Sequence, residues 1–335
     1  MDLKTTYLGM ELKNPLVAAA SPLSMGADSV KRLEDNGIAA VVMHSLFEEQ
    51  INREMHELDF FLSHGSESFA EATEYFPQSE SFANLEAEDY LEEIRRLKKS
   101  VDIPVIASLN GVSEGGWMKY AKHCEEAGAD AIELNIFYIP TDPGLTSDVL
   151  EKMYLDDLAS VKAAVDIPVS VKLNPFFSSL PNLAKRLDSA GAAGLVLFNR
   201  FFEPDIDIET LELRHRLEPT RSRDMGLSLR WLAVLHGNVA CDLAASCGIH
   251  TYQDVLKAVM AGADVAMIAS ALLEYGPEHA GSLLEGMQMW MQEKEYRSIG
   301  QMKGSMSYKA VANPSLYERA NYVKLLQDRK LDWQK

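Results

Sequence analysis

Cysteine is nearly absent from this chain. Cys124, Cys241 and Cys247 are the only three in 335 residues, and none stands in a CxxC or metal-ligand spacing. No disulfide framework or iron–sulfur motif is therefore expected, and the sparse, odd count fits a reducing compartment, with the cytoplasm as the expected location. No stretch approaches about 18 uncharged apolar residues, the length a membrane-spanning helix needs, so no membrane partner is expected. The opening Met1-Asp2-Leu3-Lys4-Thr5-Thr6 has neither the basic nor the apolar region of a signal peptide. Basic residues are short as well. The 32 Lys and Arg against 50 Asp and Glu leave a net charge of −18, a field that repels nucleic acid and anionic lipid. A GxGxxG turn is missing after the first apolar strand, which counts against an open dinucleotide-binding sheet. Low-complexity segments and a visible domain boundary are missing too, so the whole chain, 1–335, reads as one domain.

What is present is a recurring octapeptide theme. Asn36-Gly37-Ile38-Ala39-Ala40-Val41-Val42-Met43 reads as a tight turn feeding a short apolar strand. The theme returns at Ala127–Leu134, Ala190–Leu197 and Ala261–Ile268. A second theme, Val101-Asp102-Ile103-Pro104 and Val165-Asp166-Ile167-Pro168, also precedes apolar runs. Glycine at such a place supplies a left-handed helix cap. Near-continuous Val, Ile, Leu and Ala suit strands covered on both faces.

Eight strands are predicted, at Asn14–Ala20, Ala40–His44, Pro104–Leu109, Ala131–Asn135, Pro168–Leu173, Gly194–Asn199, Ala240–Ser246 and Val265–Ala269. Helical periodicity fills the intervals at Ser29–Asn36, Ala87–Lys99, Gly116–Ala127, Ser147–Ala164, Leu180–Ala190, Ser228–Leu235, Thr251–Ala261 and His279–Lys294. Eight βα units predict an α/β fold, a (β/α)8 or TIM barrel with a core over roughly 8–304. Two excursions leave strand C-terminal ends, Phe47–Glu86 and Phe201–Met225, and the tail 297–335 is expected to be helical. Between Glu48 and Glu93 fourteen acidic residues face one basic residue, Arg53, giving −13. That segment reads as a solvated surface, a lid, or a dock for a basic partner.

Polar residues collect at the predicted strand ends: Ala20-Ser21, His44-Ser45, Asn110, Asn135, Lys172 with Asn174, and Asn199-Arg200. Small residues end the last two strands, Ser246-Cys247-Gly248 and Ala269-Ser270. Around one barrel mouth they would form a pocket with one fixed cation and bare backbone on one side. That suits a flat, polar, phosphorylated cofactor, with the phosphate against the last two turns. Each residue also has a plainer reading. Lys172 could reach solvent, Asn135 could cap its loop, and Arg200 could pair with Glu203 or Asp205. His44 and Tyr138 could simply pack, and Cys247 could be a small filler.

In order and spacing these residues resemble the dihydroorotate dehydrogenase family, of the soluble class that carries FMN. The anchors are Asn14-Pro15-Leu16 with Ala20-Ser21, Glu133-Leu134-Asn135, Val171-Lys172-Leu173-Asn174-Pro175, Asn199, Ser246-Cys247-Gly248-Ile249 and Ile268-Ala269-Ser270. The resemblance implies oxidation of dihydroorotate to orotate in pyrimidine biosynthesis, with FMN as cofactor. It places Ala20, Ser21, His44, Ser45, Asn135, Lys172, Cys247, Gly248, Ala269 and Ser270 against the cofactor. His44, Asn135, Asn199 and Arg200 fall toward substrate. It also implies a homodimer and an electron-transfer partner protein; the N-terminal extension of the quinone-linked class is not expected.

The chain departs from the family at four places. His44 stands where the family has lysine. Tyr138 falls at the position of the catalytic cysteine, in Asn135-Ile136-Phe137-Tyr138-Ile139-Pro140-Thr141. The Asn-x-x-Gly-x-x-Asn substrate motif is missing, and the phosphate turns lack their usual Gly-Gly and Gly-Thr. A tyrosine gives up about 2 kcal/mol against cysteine in the cost of ionising. Tyr138 and Thr141 are the base candidates, with Lys172 as the third catalytic residue. A different cyclic acid or amide substrate, or a flavin-binding regulatory protein with little turnover, are the alternatives.

Overall fold

The computed structural model describes residues 1–48, 87–111, 116–200, 203–215, 218–319, 322–323 and 326. The first excursion, apart from its start, and most of the acidic segment lie outside the described residues. The strands are β1 (Thr5–Tyr7), β2 (Met10–Leu12), β3 (Leu16–Ala18), β4 (Ala40–Phe47), β5 (Val105–Asn110) and β6 (Ala131–Asn135). They continue with β7 (Val169–Leu173), β8 (Gly194–Leu197), β9 (Pro204–Asp207), β10 (Glu212–His215), β11 (Asp242–Ala245) and β12 (Val265–Ile268). Eight of them close a parallel barrel in the order β3-β4-β5-β6-β7-β8-β11-β12, and these are the eight read from the sequence.

Strand side chains alternate, and the barrel sorts them into two cores. Val17, Val42, Ile106, Ala131, Val196, Ala244, Val265 and Met267 fill the interior. Val41, Val105, Ile132, Val171, Leu195, Leu243 and Ile268 pack outward, with buried residues of the surrounding helices. Each fully buried aliphatic side chain contributes roughly 1.5–3 kcal/mol relative to exposure. The eight predicted helices are present, and Ser147–Ala164 has the expected bounds.

Carboxylates fasten the turns that open the strands. Glu34 Oε1 accepts the N–H groups of Asp102 and Ile103, at 2.8 and 3.1 Å. Glu125 does the same for Asp166 and Ile167, and Asp188 for Ala240 and Cys241. The aspartates of the octapeptide theme reach sideways: Asp130 accepts Val105 N–H at 2.7 Å and Asp264 accepts Leu243 N–H at 2.9 Å.

Three features were not read from the sequence. The β1–β2 hairpin plugs one end of the barrel, where Tyr7, Leu8 and Leu12 join the interior core. Leu8 N–H donates to Asp242 Oδ2 at 2.7 Å, at the start of β11, so the plugged end is the N-terminal face. Gly194 permits this approach, because a Cβ there would stand 2.8 Å from Leu8 Cδ2. The second excursion carries an antiparallel β9–β10 hairpin. A short helix, Ser270–Tyr275, follows β12 directly.

The described part of the tail is helical in places, at Ile299–Met302 and at residues 322–323 and 326. Between them the chain makes a 3-10 turn, Pro314–Tyr317. Gly304, in the left-handed region at φ 71°, follows the first helical turn, and Pro314 starts the 3-10 turn. The backbone also pairs with barrel helices: Gly304 N–H with Val259 O at 3.0 Å, and Tyr308 N–H with Ala233 O at 2.9 Å. Among the described residues no helix is long and apolar enough to cross a membrane.

Candidate active site

With the N-terminal face plugged, the strand C-terminal ends form the open mouth, and β4 is shaped for it. Its pairing with β5 slips by one residue between Val42 and Ser45, a β-bulge. Without the bulge, strict alternation would turn Ser45 outward; with it, Ser45 lies opposite inward-facing Ser108. The two hydroxyls are 2.9 Å apart, and Asn135 Nδ2 donates to Ser45 Oγ at 3.1 Å. The bulge sits beside Ser108 in the ladder. Tyr90, from the helix Ala87–Ser100, bonds the backbone there: its hydroxyl accepts Ser108 N–H at 2.9 Å and donates to Ser108 O at 3.3 Å. Tyr90→Phe should cost about 1–3 kcal/mol, the penalty of a buried unpaired amide, read as a lower urea midpoint.

His44 sits in the bulge, its ring edge-on to Tyr90 with centroids 5.0 Å apart. Burial lowers its pKa to about 4, and its Nδ1 has no partner among the described residues. The imidazole is therefore neutral near pH 7, unlike a lysine at that place. Because the folded pKa lies below the unfolded value of about 6.5, the unfolded chain takes up the proton first as pH falls. Stability should drop between about pH 6.5 and pH 4, by up to about 3 kcal/mol. Urea denaturation of His44→Gln, set against the parent at both ends of that window, should show this loss removed.

Three adjacent strands present the remaining polar groups. Asn135 ends β6, Lys172 lies opposite it on β7, and Asn199 follows β8 with its N–H on Leu173 O at 2.8 Å. All three are about 8% exposed. Asn135 Oδ1 and Asn199 Nδ2 are buried without a partner among the described residues. Lys172 Nζ lies 3.5 Å from Glu133 Oε1. Native structures rarely leave such groups unpaired. An acceptor, a donor and a cation side by side match the edge of a flat ring bearing carbonyl and N–H groups.

The opposite side of the mouth is built from small residues. Cys247 and Gly248, after β11, both take left-handed backbone, with φ 71° and 74°. A non-glycine residue there is strained, and such strain gathers at functional sites. Cys247 Sγ lies 3.3 Å from Phe198 O, and burial raises its pKa, so it is a thiol near neutral pH. Asp254 holds the turn that follows, accepting His250 N–H at 3.2 Å, Thr251 N–H at 3.0 Å and Ser222 Oγ–H at 2.6 Å. Ser270 Oγ accepts Thr220 N–H at 3.2 Å and Thr220 Oγ1–H at 3.0 Å, which leaves its own proton free to donate. Ala20 and Ser21 follow the first barrel strand, with Ser21 O accepting Ser24 Oγ–H at 2.7 Å. A cofactor with a flat ring and a phosphate fits this mouth: unpaired donors and acceptors on one side, small-residue turns on the other.

Other residues stand apart. Asn174 is committed to the fold, donating to Tyr154 OH at 3.0 Å and accepting Phe176 N–H at 2.8 Å. Arg200 lies 4.0 Å from Asp224, not beside Glu203 or Asp205. Tyr138 is half-buried and packs against the helix-side core, and Thr141 is exposed on the same loop. Neither shares a hydrogen bond with the ring of mouth residues. The sequence alone assigned no site role to Ser108, Tyr90, Glu133 or Thr220. Period-two alternation along β5 and β6 could have found Ser108 and Glu133; Tyr90 and Thr220 depend on contacts no local pattern announces.

The family model described as "Dihydroorotate dehydrogenase" matches residues 78–291, more than half of the chain. A dihydroorotate dehydrogenase B (NAD(+)) catalytic subunit of Thermoplasma acidophilum is 27% identical over 320 residues, covering 90% of this chain and 98% of its own. The subunit of the same name from Methanothermobacter thermautotrophicus is 26% identical, covering 90% and 97%. That of Methanocaldococcus jannaschii is 28% identical, covering 82% and 88%.

Proposed function

The chain belongs to the dihydroorotate dehydrogenase family, and on that premise we propose that it is an FMN-dependent oxidoreductase converting dihydroorotate to orotate, a step of pyrimidine biosynthesis. The observation that carries the reading is the trio of strand ends Asn135, Lys172 and Asn199: Asn135 Oδ1 and Asn199 Nδ2 have no partner among the described residues, and the Lys172 ammonium makes only a long contact with Glu133, at 3.5 Å. FMN, when bound, supplies the hydride acceptor. The residues supply position and charge. Lys172 faces negative charge that develops on the ring during reduction. Asn135 and Asn199 orient ring and substrate, His44 offers a neutral hydrogen bond, and Arg200 pairs with the substrate carboxylate. Ala20, Ser21 and Ser45 line the ring, while Cys247, Gly248, Ala269 and Ser270 hold the phosphate. Proton removal from the substrate falls to the loop after β6, through Tyr138 or Thr141.

The relatives' names include NAD(+) and a catalytic subunit, which supports an electron-transfer partner protein. A cytoplasmic homodimer, each protomer a single barrel domain, completes the reading.

The test is direct. The purified protein should be yellow, release FMN on denaturation, and lose its colour when dihydroorotate is added without oxygen. A colourless protein would overturn the cofactor. A flavin that stays oxidised would overturn the substrate.

A further inference from the structure

Glu133 lies on the inward face of β6, two residues before Asn135, and is 1% exposed. A carboxylate so deep in a barrel costs much in lost hydration unless it is paired and hydrogen-bonded. Its surroundings satisfy it poorly. Lys172 Nζ is 3.5 Å from Oε1, and Oε2 has no partner among the described residues. Tyr7 OH, from the hairpin beneath, also lacks one, and Ser170 Oγ–H is spent on Ile132 O at 3.2 Å. A pair built for stability would be shorter and doubly bonded. This one is long and one-sided. The carboxylate lies on the barrel side of the ammonium, and the mouth lies on the other.

We infer that Glu133 is a positioning residue: it draws the Lys172 ammonium from below, keeps it at the mouth, and offsets part of the positive charge that a bound flavin feels. The inference rests on FMN occupying the mouth, as proposed above. Reduced flavin is the more anionic form, so an unopposed ammonium would stabilise it and raise the reduction potential. Glu133 holds that potential down.

The experiment compares the FMN-loaded parent, Glu133→Gln, and Glu133→Gln/Lys172→Met, with potentials measured by equilibration against a reference dye. Glu133→Gln keeps the shape and removes the charge. It should favour reduced over oxidised FMN roughly tenfold, an upward shift of about 30 mV for two electrons. Adding Lys172→Met should take the potential below that of the parent, because no cation remains. Glu133→Asp keeps the charge but withdraws it by one methylene, and should shift the potential upward by less; it serves if the glutamine variant does not fold. A glutamine variant at the parent's potential overturns the inference. So does a glutamine variant whose raised potential survives Lys172→Met, since Glu133 would then not act through the lysine. If the parent takes up no FMN, the proposed function fails instead, which keeps the two failures distinct.

Discussion

Gly248→Ala should be among the most damaging single-methyl additions in this protein. Gly248 has φ 74°, and an added Cβ would stand 2.5 Å from Met225 N and 2.9 Å from Met225 Cα. Two costs combine. An L-residue in the left-handed region gives up about 1–2 kcal/mol. The backbone that starts the helix Gly226–Leu235 cannot swing aside as a flexible side chain would, so overpacking adds about 1–3 kcal/mol. A loss of about 3 kcal/mol should appear in the urea midpoint, with FMN affinity down at least about tenfold as the turn shifts. Cys247→Gly is the matched control. It relieves a left-handed residue but loses the thiol contact with Phe198 O and loosens the unfolded chain, so the net change should be small. An alanine variant with the parent's midpoint and FMN affinity would sink the assignment of this turn.

Lys172→Met should cost about 3–5 kcal/mol in the protein without cofactor, because it strands the Glu133 carboxylate in the barrel interior without its cation. The side chains are similar in size, so packing contributes little. Adding Glu133→Gln should restore most of the loss, since neither charge remains. The denaturation midpoints of the single and double variants decide the matter. A single variant as stable as the double would mean that the carboxylate finds another partner or a proton. With FMN present, both variants should reduce more slowly, because no ammonium faces the developing charge.

Much of the fold was legible because barrel strands are local objects. Gly37, Gly128, Gly191 and Gly262 all take positive φ before a buried run. Each is a short-range requirement of a helix ending against a strand. The closed ring then places strand ends on one face, which is why Asn135, Lys172 and Asn199 could be named from position alone. The backbone bonds of the tail to the helices beneath, at Val259 and Ala233, have no signature in its polar periodicity.

The order of strands, the open face and the polar character of its rim were thus set by the sequence, since each follows from alternation, turn chemistry and the handedness of βα units. What only the tertiary structure decided is which polar atoms remain unpaired. A one-residue bulge in β4, Tyr90 reaching across from its helix, Thr220 docking on Ser270, and the depth of Glu133 below Lys172 all join residues distant along the chain. Hydrogen-bond satisfaction is a property of the whole packed interior, so the chemistry of the mouth emerges only when every neighbour is in place.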